Sequence, residues 1–304
     1  MKIHDIIIVG GGPAGMSAAL YALRANKEVL LIEKESFGGQ IANSPRVENY
    51  PSIKEISGLD FSNNLFEQIS ELGVDFELEN VESIDKIDNI FHVRTNYQEH
   101  LAKVVILATG VKHRHIGIEK EEELIGKGVS YCAVCDGAFL KGEDVAFIGD
   151  GNTAVQYALL LSNYCSKVHV CTLFDKFFAD PIIVNRLLER NNVVVTHNIS
   201  LRKFEGEDSL EALIFENTKS STTVRIPVKG VFIAIGQVPN NEMYSNLVDL
   251  ENGYILTDEN KKTRTEGLYA IGDCTKKRIR QLTTATSDGS IAAIDACNYI
   301  DSLK

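Results

Sequence analysis

The sequence predicts an α/β protein with two Rossmann-like, three-layer dinucleotide-binding domains. Two observations predict this class. An apolar run leads into a glycine-rich turn and a helical segment at the amino terminus, and the same order recurs from residue 144. The length agrees, because 304 residues are enough for two domains, each with its own core.

The first fingerprint covers residues 5–33. Residues 5–9 are a continuous apolar run, typical of a strand buried in a parallel sheet. A glycine-rich turn, a helix to residue 25 and a second apolar strand, 29–32, follow. Its glycines allow a tight turn and a close approach to a pyrophosphate, and the acid after the second strand can accept from a ribose hydroxyl. The predicted ligand-contacting residues are Gly10, Gly12, Pro13, Ala14, Gly15 and Glu33. The pattern alone leaves FAD and NAD open.

The second fingerprint repeats this plan. Residues 144–148 are an apolar strand, 149–154 read Gly-Asp-Gly-Asn-Thr-Ala, and a helix and the strand 167–171 follow. Repetition of one plan predicts a second Rossmann-like domain, which residues 232–240 close.

A dithiol motif lies between the two fingerprints. Cys132 and Cys135 have the spacing Cys-x-x-Cys, and Asp136 follows directly. A Cys-x-x-Cys at a helix start favours the thiolate, which is the nucleophile of disulfide exchange, and Asp136 is the candidate acid that protonates the leaving thiolate. The motif could also be half of a zinc site, but no second Cys/His pair with ligand spacing is present, so no metal is predicted. The other four cysteines are isolated and predicted to be packing residues.

Composition excludes several classes. With 31 basic and 42 acidic residues the net charge is -11, which argues against a nucleic-acid partner. No apolar run approaches the roughly 18 residues of a membrane span. A strand begins at once, which leaves no room for a signal peptide, and six cysteines without such a leader do not indicate a disulfide scaffold. We therefore expect a cytoplasmic protein.

Further motifs carry a family resemblance. Residues 38–40 read Gly-Gly-Gln, 108–110 Ala-Thr-Gly, 268–273 end in Gly-Asp, and 280–281 are Arg-Gln. In this order, around Cys-Ala-x-Cys-Asp-Gly, they resemble the low-molecular-weight thioredoxin reductases over essentially the whole chain. The resemblance implies the two-dinucleotide flavoprotein fold, with FAD in the first module. It adds these expected FAD contacts: Gly39, Gln40, Ala108, Thr109, Gly110, Gly272, Asp273, Arg280 and Gln281.

The resemblance also implies a mechanism and a domain division. Cys135 would lie nearer the flavin and receive the electron pair, and Cys132 would attack the disulfide of a thioredoxin-like partner before Cys135 resolves the mixed disulfide. The FAD domain would be residues 1–114 and 243–304. Residues 115–242 would form an NADPH-binding-like domain, the second domain inserted in the first, which carries the dithiol and is joined by linkers that permit rotation. A homodimer is expected on the same ground.

The chain departs from the family at the expected NADPH site. NADPH-dependent members carry a His-Arg-Arg cluster after the strand that follows the second glycine loop, and another Arg a few residues on. Here Thr172, Leu173, Phe174 and Phe178 stand at those positions, and Asp175 offsets the basic Lys176. Losing two charge-assisted phosphate contacts, at roughly 1.5–3 kcal/mol each, predicts NADPH binding weaker by about a hundredfold or more. NADH is poorly served as well, because no acid ends the strand.

The leading hypothesis is therefore a disulfide reductase of the ferredoxin-dependent flavin thioredoxin reductase branch. Acidic ferredoxin would dock near Lys276, Lys277 and Arg278, the densest basic cluster, although a solvated loop explains that cluster nearly as well. An NADPH-dependent thioredoxin reductase stays open if Lys176, Arg186 or Lys203 reaches the phosphate. Two more functions fit the same motifs: a dithiol oxidase that uses oxygen, and a flavin-bound redox sensor without turnover.

Overall fold

A computed structural model describes residues 2–44 and 46–303. The chain forms two compact units. The first comprises the chain up to Lys112 together with the chain from Val238 on, and the second is His113–Gln237. The chain therefore crosses between the units twice, after residue 112 and after residue 237. The division expected from the sequence places these two crossings two and five residues later, after residues 114 and 242.

The elements before the first crossing are β1 (Ile3–Val9), α1 (Pro13–Arg24), β2 (Val29–Glu33), α2 (Gly58–Glu71), β3 (Asp75–Leu78), β4 (Val81–Ile87), β5 (Ile90–Thr95) and β6 (Glu99–Leu107), with β7 (Lys112–His113) at the crossing itself. The second unit continues with β8 (Val129–Ser130), α3 (Ala133–Asp136), β9 (Asp144–Ile148), α4 (Asn152–Leu161), β10 (Lys167–Cys171), α5 (Pro181–Leu188), β11 (Val193–Thr196), β12 (Ile199–Glu205), β13 (Ala212–Asn217), β14 (Thr223–Pro227) and β15 (Gly230–Ile233). After β16 (Gln237–Val238) at the second crossing come β17 (Leu250–Glu251), β18 (Tyr254–Ile255), β19 (Leu268–Ala270) and α6 (Leu282–Ser302).

The first unit is built on one sheet, in the order β3-β2-β1-β6-β5-β4, with β19 also paired to β6. Strands β1, β2, β3, β6 and β19 are parallel, whereas β4 and β5 join antiparallel. Side chains of β1 alternate between the faces: Ile6 and Ile8 pack with α1 and α6, and Ile7 and Val9 pack into a core on the other face. Both faces are covered, which explains the continuous apolar run.

The second unit has a parallel sheet, in the order β11-β10-β9-β15-β8, and a separate antiparallel sheet, β12-β13-β14. Phe147 of β9 packs with α4 and α5 on one face, while Ala146 packs with β12 and β13 on the other. Each unit is thus a three-layer, Rossmann-like domain, which confirms the predicted α/β class. Within the described parts of the chain, no helix combines the length and apolar character that crossing a membrane requires.

Candidate active site

The dithiol lies at the start of α3 in the second unit, where Cys132 and Cys135 form a disulfide with a Cα–Cα distance of 5.4 Å. Cys132 is half-buried and Cys135 is exposed. The backbone N–H of Cys135 donates to Sγ of Cys132 at 3.2 Å. A donor aimed at this sulfur favours the thiolate on Cys132 once the disulfide is reduced.

A serine links the dithiol to the candidate acid. The hydroxyl of Ser130, at the end of β8, donates to Oδ2 of Asp136 at 2.6 Å and accepts from the N–H of Cys132 at 3.0 Å. The N–H of Asp136 donates to the carbonyl of Cys132 at 3.1 Å. One turn therefore brings together all three predicted catalytic residues. Ser130 is absent from the residues predicted from sequence, although a serine two residues before Cys132 is placed to make these bonds.

This bridge predicts the effect of Ser130→Ala. Without the hydroxyl the Asp136 side chain loses the hydrogen bond that fixes its orientation, so we expect slower proton transfer to the leaving thiolate and about a tenfold loss of kcat. Stopped-flow reduction of a disulfide substrate across the pH range tests this, because the kcat–pH profile should change shape. An unchanged profile at unchanged rate would contradict the positioning of Asp136 by Ser130.

Four distant stretches of the first unit converge at the start of α1. A Cβ on Gly10, where φ is +113°, would lie 2.2 Å from the carbonyl oxygen of Ala108, and one on Gly272 would lie 2.9 Å from Cβ of Ala14. A Cβ on Gly12 would have no neighbour nearer than Cα of Gly39, at 4.0 Å, so the space beside Gly12 is open. Gly15 lies against the carbonyl of Gly10. The predicted contact residues of these stretches thus form one cradle of bare backbone, with Pro13 in the first turn of α1. Such a cradle fits a pyrophosphate.

Glu33 is held in place by backbone donors. Its Oε2 accepts from the N–H of Gly11 at 2.7 Å, and Oε1 accepts from Lys34 and Glu35 at 2.8 and 3.0 Å. The carboxylate therefore lies beside the glycine turn in a fixed orientation, which suits recognition of a ribose.

Asp273 lies in a short turn, Gly272–Cys274, directly after β19 and Ile271. Its Oδ1 is buried and has no hydrogen-bond partner among residues 2–44 and 46–303. Burial raises the pKa of the carboxyl, against the opposing effect of the positive charges on Lys277 and Arg280. An orphaned, buried acceptor beside the pyrophosphate cradle fits a hydroxyl-rich ligand such as the ribityl chain of FAD.

Asp273→Asn should separate stability from binding. Burial raises the pKa of Asp273 in the folded state above its value in the unfolded chain, so the folded state holds this proton more tightly. The contribution of Asp273 to folding stability is therefore fully present below the unfolded-state pKa and is lost as the pH rises through the folded-state pKa. At neutral pH we expect the apoprotein to gain on the order of 1 kcal/mol from the substitution, while FAD binding weakens about tenfold. Thermal unfolding of the apoprotein and FAD titration measure the two effects, and the stability gain should vanish in acid. A less stable apoprotein at neutral pH would contradict the assignment.

The remaining predicted contacts lie around this turn or near the cradle. Arg280 donates to the carbonyls of Asp273 and Thr275 at 3.5 and 3.3 Å, and its guanidinium lies 4.1 Å from the ring centre of Tyr254. Gln281 caps α6. Gln40 lies in a short turn that starts at Gly39. Thr109 and Gly110 follow β6, and Gly110 has φ +64°.

Asn241 connects two of the predicted FAD-contacting stretches, and the sequence did not reveal it, because residues 240–245 have the character of a linker. Asn241 is almost fully buried. It donates to the carbonyls of Gly253 and Cys274 at 2.8 and 3.0 Å, and its Oδ1 accepts from the Thr109 hydroxyl at 3.2 Å. It thus ties the Ala-Thr-Gly stretch to the turn that carries Asp273.

The second glycine loop keeps its backbone form. A Cβ on Gly149 would lie 2.4 Å from the carbonyl oxygen of Ala234, and the space beside Gly151 is open. Burial raises the pKa of Asp150 between them. The segment after β10 folds back on this loop: the N–H of Phe178 donates to the Asp150 carbonyl at 2.7 Å, and the N–H of Asp180 donates to Oδ1 of Asn152 at 2.7 Å.

Thr172 directly follows β10 and is fully buried. Its hydroxyl is bonded to the carbonyl of Phe174 at 2.7 Å and to Nδ1 of His197 at 2.6 Å. Leu173, Phe174 and Phe178 are about half exposed, and Lys176 lies over the Phe178 ring. The four positions where the family pattern places phosphate-binding side chains therefore offer no cation.

The basic cluster after Asp273 is less exposed than the sequence suggests. Lys277 is largely buried and bound to Asp288, and Lys276 pairs with Glu251 at the surface. Arg278 and Ile279 are exposed. Lys277 is thus turned inward, contrary to its expected place in a docking patch. The four remaining cysteines, Cys165, Cys171, Cys274 and Cys297, are free and buried, as predicted.

A family profile, a sequence relative and two solved structures that match this chain are all of disulphide oxidoreductases. The family profile of the pyridine nucleotide-disulphide oxidoreductases matches residues 4–289. The chain is 38% identical over 305 residues to thioredoxin reductase of Bacillus subtilis, covering 100% of this chain and 96% of that protein. The structure of Lactococcus lactis thioredoxin reductase in its FR conformation has a TM-score of 0.96 at 34% identity, covering 98% of this chain and 99% of that one. A ferredoxin-flavin thioredoxin reductase from Clostridium acetobutylicum has a TM-score of 0.55 at 27% identity, covering 98% of each chain.

Proposed function

The chain belongs to the low-molecular-weight thioredoxin reductases, the FAD-containing flavin disulfide oxidoreductases of the pyridine nucleotide-disulphide family, and we propose that a protein donor of the ferredoxin type, rather than NADPH, supplies its electrons. The observation that carries the proposal is the second glycine loop. Thr172 is buried and bonded within the protein, and apolar side chains occupy the other three positions of the phosphate cluster. The doubly charged 2'-phosphate of NADPH needs cations at such positions.

Acidic groups at the loop add to this argument. Asp150 lies within the glycine turn, and Asp180 bonds to Asn152 at the first residue of α4. Two carboxyl groups at the place where a pyrophosphate would approach oppose its negative charge. The named activity of the Clostridium acetobutylicum structure supports a ferredoxin donor for this fold.

We propose that FAD is held by the cradle and by Asp273 in the first unit. The expected contacts are Gly10, Gly12, Pro13, Ala14, Gly15, Glu33, Gly39, Gln40, Ala108, Thr109, Gly110, Gly272, Asp273, Arg280 and Gln281. Bound FAD supplies a carrier that accepts electrons one at a time and passes them on as a pair. The glycines allow its pyrophosphate to approach the backbone, while Asp273 accepts from a hydroxyl.

Once an electron pair has reduced the Cys132–Cys135 disulfide, the resulting dithiol performs two exchanges. The Cys132 thiolate, stabilised by the N–H of Cys135, attacks the partner's disulfide, so that an S–S bond to Cys132 forms and the partner's S–S bond breaks. Asp136 gives its proton to the leaving thiolate. The Cys135 thiolate next attacks Sγ of Cys132, which restores the Cys132–Cys135 disulfide and releases the partner's second sulfur as a thiolate that takes a proton from solvent. The partner has gained two electrons.

An anaerobic titration tests the donor. With NADPH in excess we expect the visible band of the oxidised flavin to persist, whereas reduced ferredoxin with a catalytic amount of enzyme should generate thiols on thioredoxin. Rapid bleaching by NADPH, or no thiol formation with ferredoxin, would overturn the proposal. Thiol formation driven by a chemical reductant verifies that the dithiol is competent in either case.

A thioredoxin partner has a candidate contact beside the dithiol. Phe139 is 86% exposed four residues after Cys135, and Val134 between the cysteines is 40% exposed. A large apolar side chain this exposed is typical of an interface anchor. We expect Phe139→Ala to raise the KM for thioredoxin about tenfold, or ~1.4 kcal/mol, with an unchanged rate for a small disulfide substrate. A rise in KM for both substrates would contradict a docking role.

The donor would dock at the remaining surface of the basic cluster, around Lys276, Arg278 and the exposed Ile279. Charge complementarity to an acidic ferredoxin predicts a salt-dependent association rate. We also propose, on the family resemblance, a cytoplasmic homodimer.

NADPH dependence is the second candidate, because the glycine loop keeps an open approach at Gly151. Lys176, which lies over the ring of Phe178, is the cation at hand for a phosphate there. The same titration separates the two candidates.

A further inference from the structure

One carboxylate in the first unit holds two lysines. Asp288, in the second turn of α6, is 6% exposed. Its Oδ2 accepts from Nζ of Lys277, and its Oδ1 lies 3.1 Å from Nζ of Lys261. The N–H of Gly272 also donates to Oδ2, at 3.0 Å. Neither lysine is free at the surface, since their side chains are 15% and 22% exposed.

The partners of Asp288 come from two segments outside α6. Lys261 lies between β18 and β19, while Gly272 and Lys277 lie in the loop between β19 and α6. A buried carboxylate is stable only where donors surround it, so Asp288 ties these segments to α6. We call this cluster of Lys261, Lys277 and Asp288 the lysine brace. Its three residues lie in the first unit, whereas the dithiol lies in the second.

The brace meets the FAD cradle at Gly272. This glycine has φ +72°, and a Cβ there would lie 2.9 Å from Cβ of Ala14, so the turn lies directly on the start of α1. The next residue is Asp273, whose buried Oδ1 has no partner within the described residues. The Gly272 N–H is therefore the link between Asp288 and the acceptor that awaits a ligand hydroxyl.

We propose that Lys277 and Lys261, acting through Asp288, are positioning residues that hold the Gly272–Asp273 turn ready for the ribityl chain of FAD. In this arrangement Lys277 neutralises Asp288, Asp288 fixes the Gly272 N–H, and the fixed turn aims Asp273. The lysines themselves do not touch the cofactor.

A double-mutant cycle on FAD affinity tests the brace. Apoprotein is titrated with FAD and binding is followed by quenching of flavin fluorescence, for Lys277→Met, Asp273→Ala and the double variant. We expect Lys277→Met to raise the Kd about tenfold in the native background and less than about twofold when Asp273 is absent. Lys277→Arg, which keeps the donor to Asp288, should restore most of the affinity.

Lys262→Met is the matched control, because it removes an equal charge from the residue next to Lys261, where the ion-pair partner is Asp295 at 2.9 Å. It should leave the FAD Kd within about twofold. If Lys277→Met does not fold, Lys261→Met replaces it in the cycle, since the Lys277–Asp288 pair remains. An equal penalty with and without Asp273, or an equal loss in the control, would overturn the proposal and leave the brace a stabilising ion cluster only.

Discussion

Cys135→Ser should bind FAD normally and lose more than about 99.9% of its disulfide reductase turnover, because a serine hydroxyl cannot resolve a mixed disulfide at neutral pH. The structure gives a reason to expect accumulation of that intermediate. The Cys132 sulfur receives the N–H of residue 135 at 3.2 Å, a backbone bond that serine preserves, so Cys132 stays an active nucleophile. The variant, chemically reduced and then mixed with oxidised thioredoxin, should form a covalent adduct that is visible by non-reducing electrophoresis and intact-mass measurement.

Cys132→Ser is the matched control. It should be as inactive as Cys135→Ser, yet form no adduct, because the sulfur that attacks the partner is absent. An adduct through Cys135 and none through Cys132 would reverse the two roles. Normal turnover in either variant would exclude the dithiol from the reaction altogether.

The sequence predicted the fold well because both nucleotide modules are local patterns. A Cβ added to Gly10 would lie 2.2 Å from the carbonyl oxygen of Ala108, and one added to Gly149 would lie 2.4 Å from that of Ala234; both carbonyls directly follow a neighbouring strand. Only glycine fits at these two positions, so each glycine marks the turn between a strand and a helix within one short stretch of sequence. The crossings between the units have no such local signal. They lie at Lys112 and Gln237, whereas the family resemblance placed them two and five residues later.

The site residues that escaped prediction act through long-range hydrogen bonds. Asn241 reads as part of a linker, yet its side chain reaches a carbonyl 33 residues away. Lys277 reads as a surface cation in a basic run, but its loop returns it to Asp288 of α6. A polar side chain's partner depends on which segments the fold brings together, and spacing along the chain does not record that. The local pair Ser130 and Asp136, six residues apart, was within reach of sequence reasoning.

Restoring cations at the second glycine loop should create NADPH-driven activity. The proposed variant combines Leu173→Arg, Phe174→Arg and Phe178→Arg, three positions that are about half exposed, so the new side chains can be accommodated. Thr172 is kept, because its buried hydroxyl is hydrogen-bonded to the backbone carbonyl of Phe174 and to the ring of His197. Two new charge-assisted contacts at about 1.5–3 kcal/mol each would strengthen NADPH binding by roughly a hundredfold or more. Anaerobic bleaching of the flavin by NADPH measures the gain.

NADH distinguishes phosphate recognition from a general gain of positive charge. It lacks the 2'-phosphate, so the triple variant should prefer NADPH over NADH by at least about tenfold, and added salt should weaken NADPH binding. A second variant, Asp150→Asn, removes the half-buried carboxyl from the glycine turn and should strengthen both nucleotides alike. Wild-type protein bleached by NADPH as readily as the triple variant would show that the phosphate is already bound by another cation, and the requirement for a protein donor would then fall.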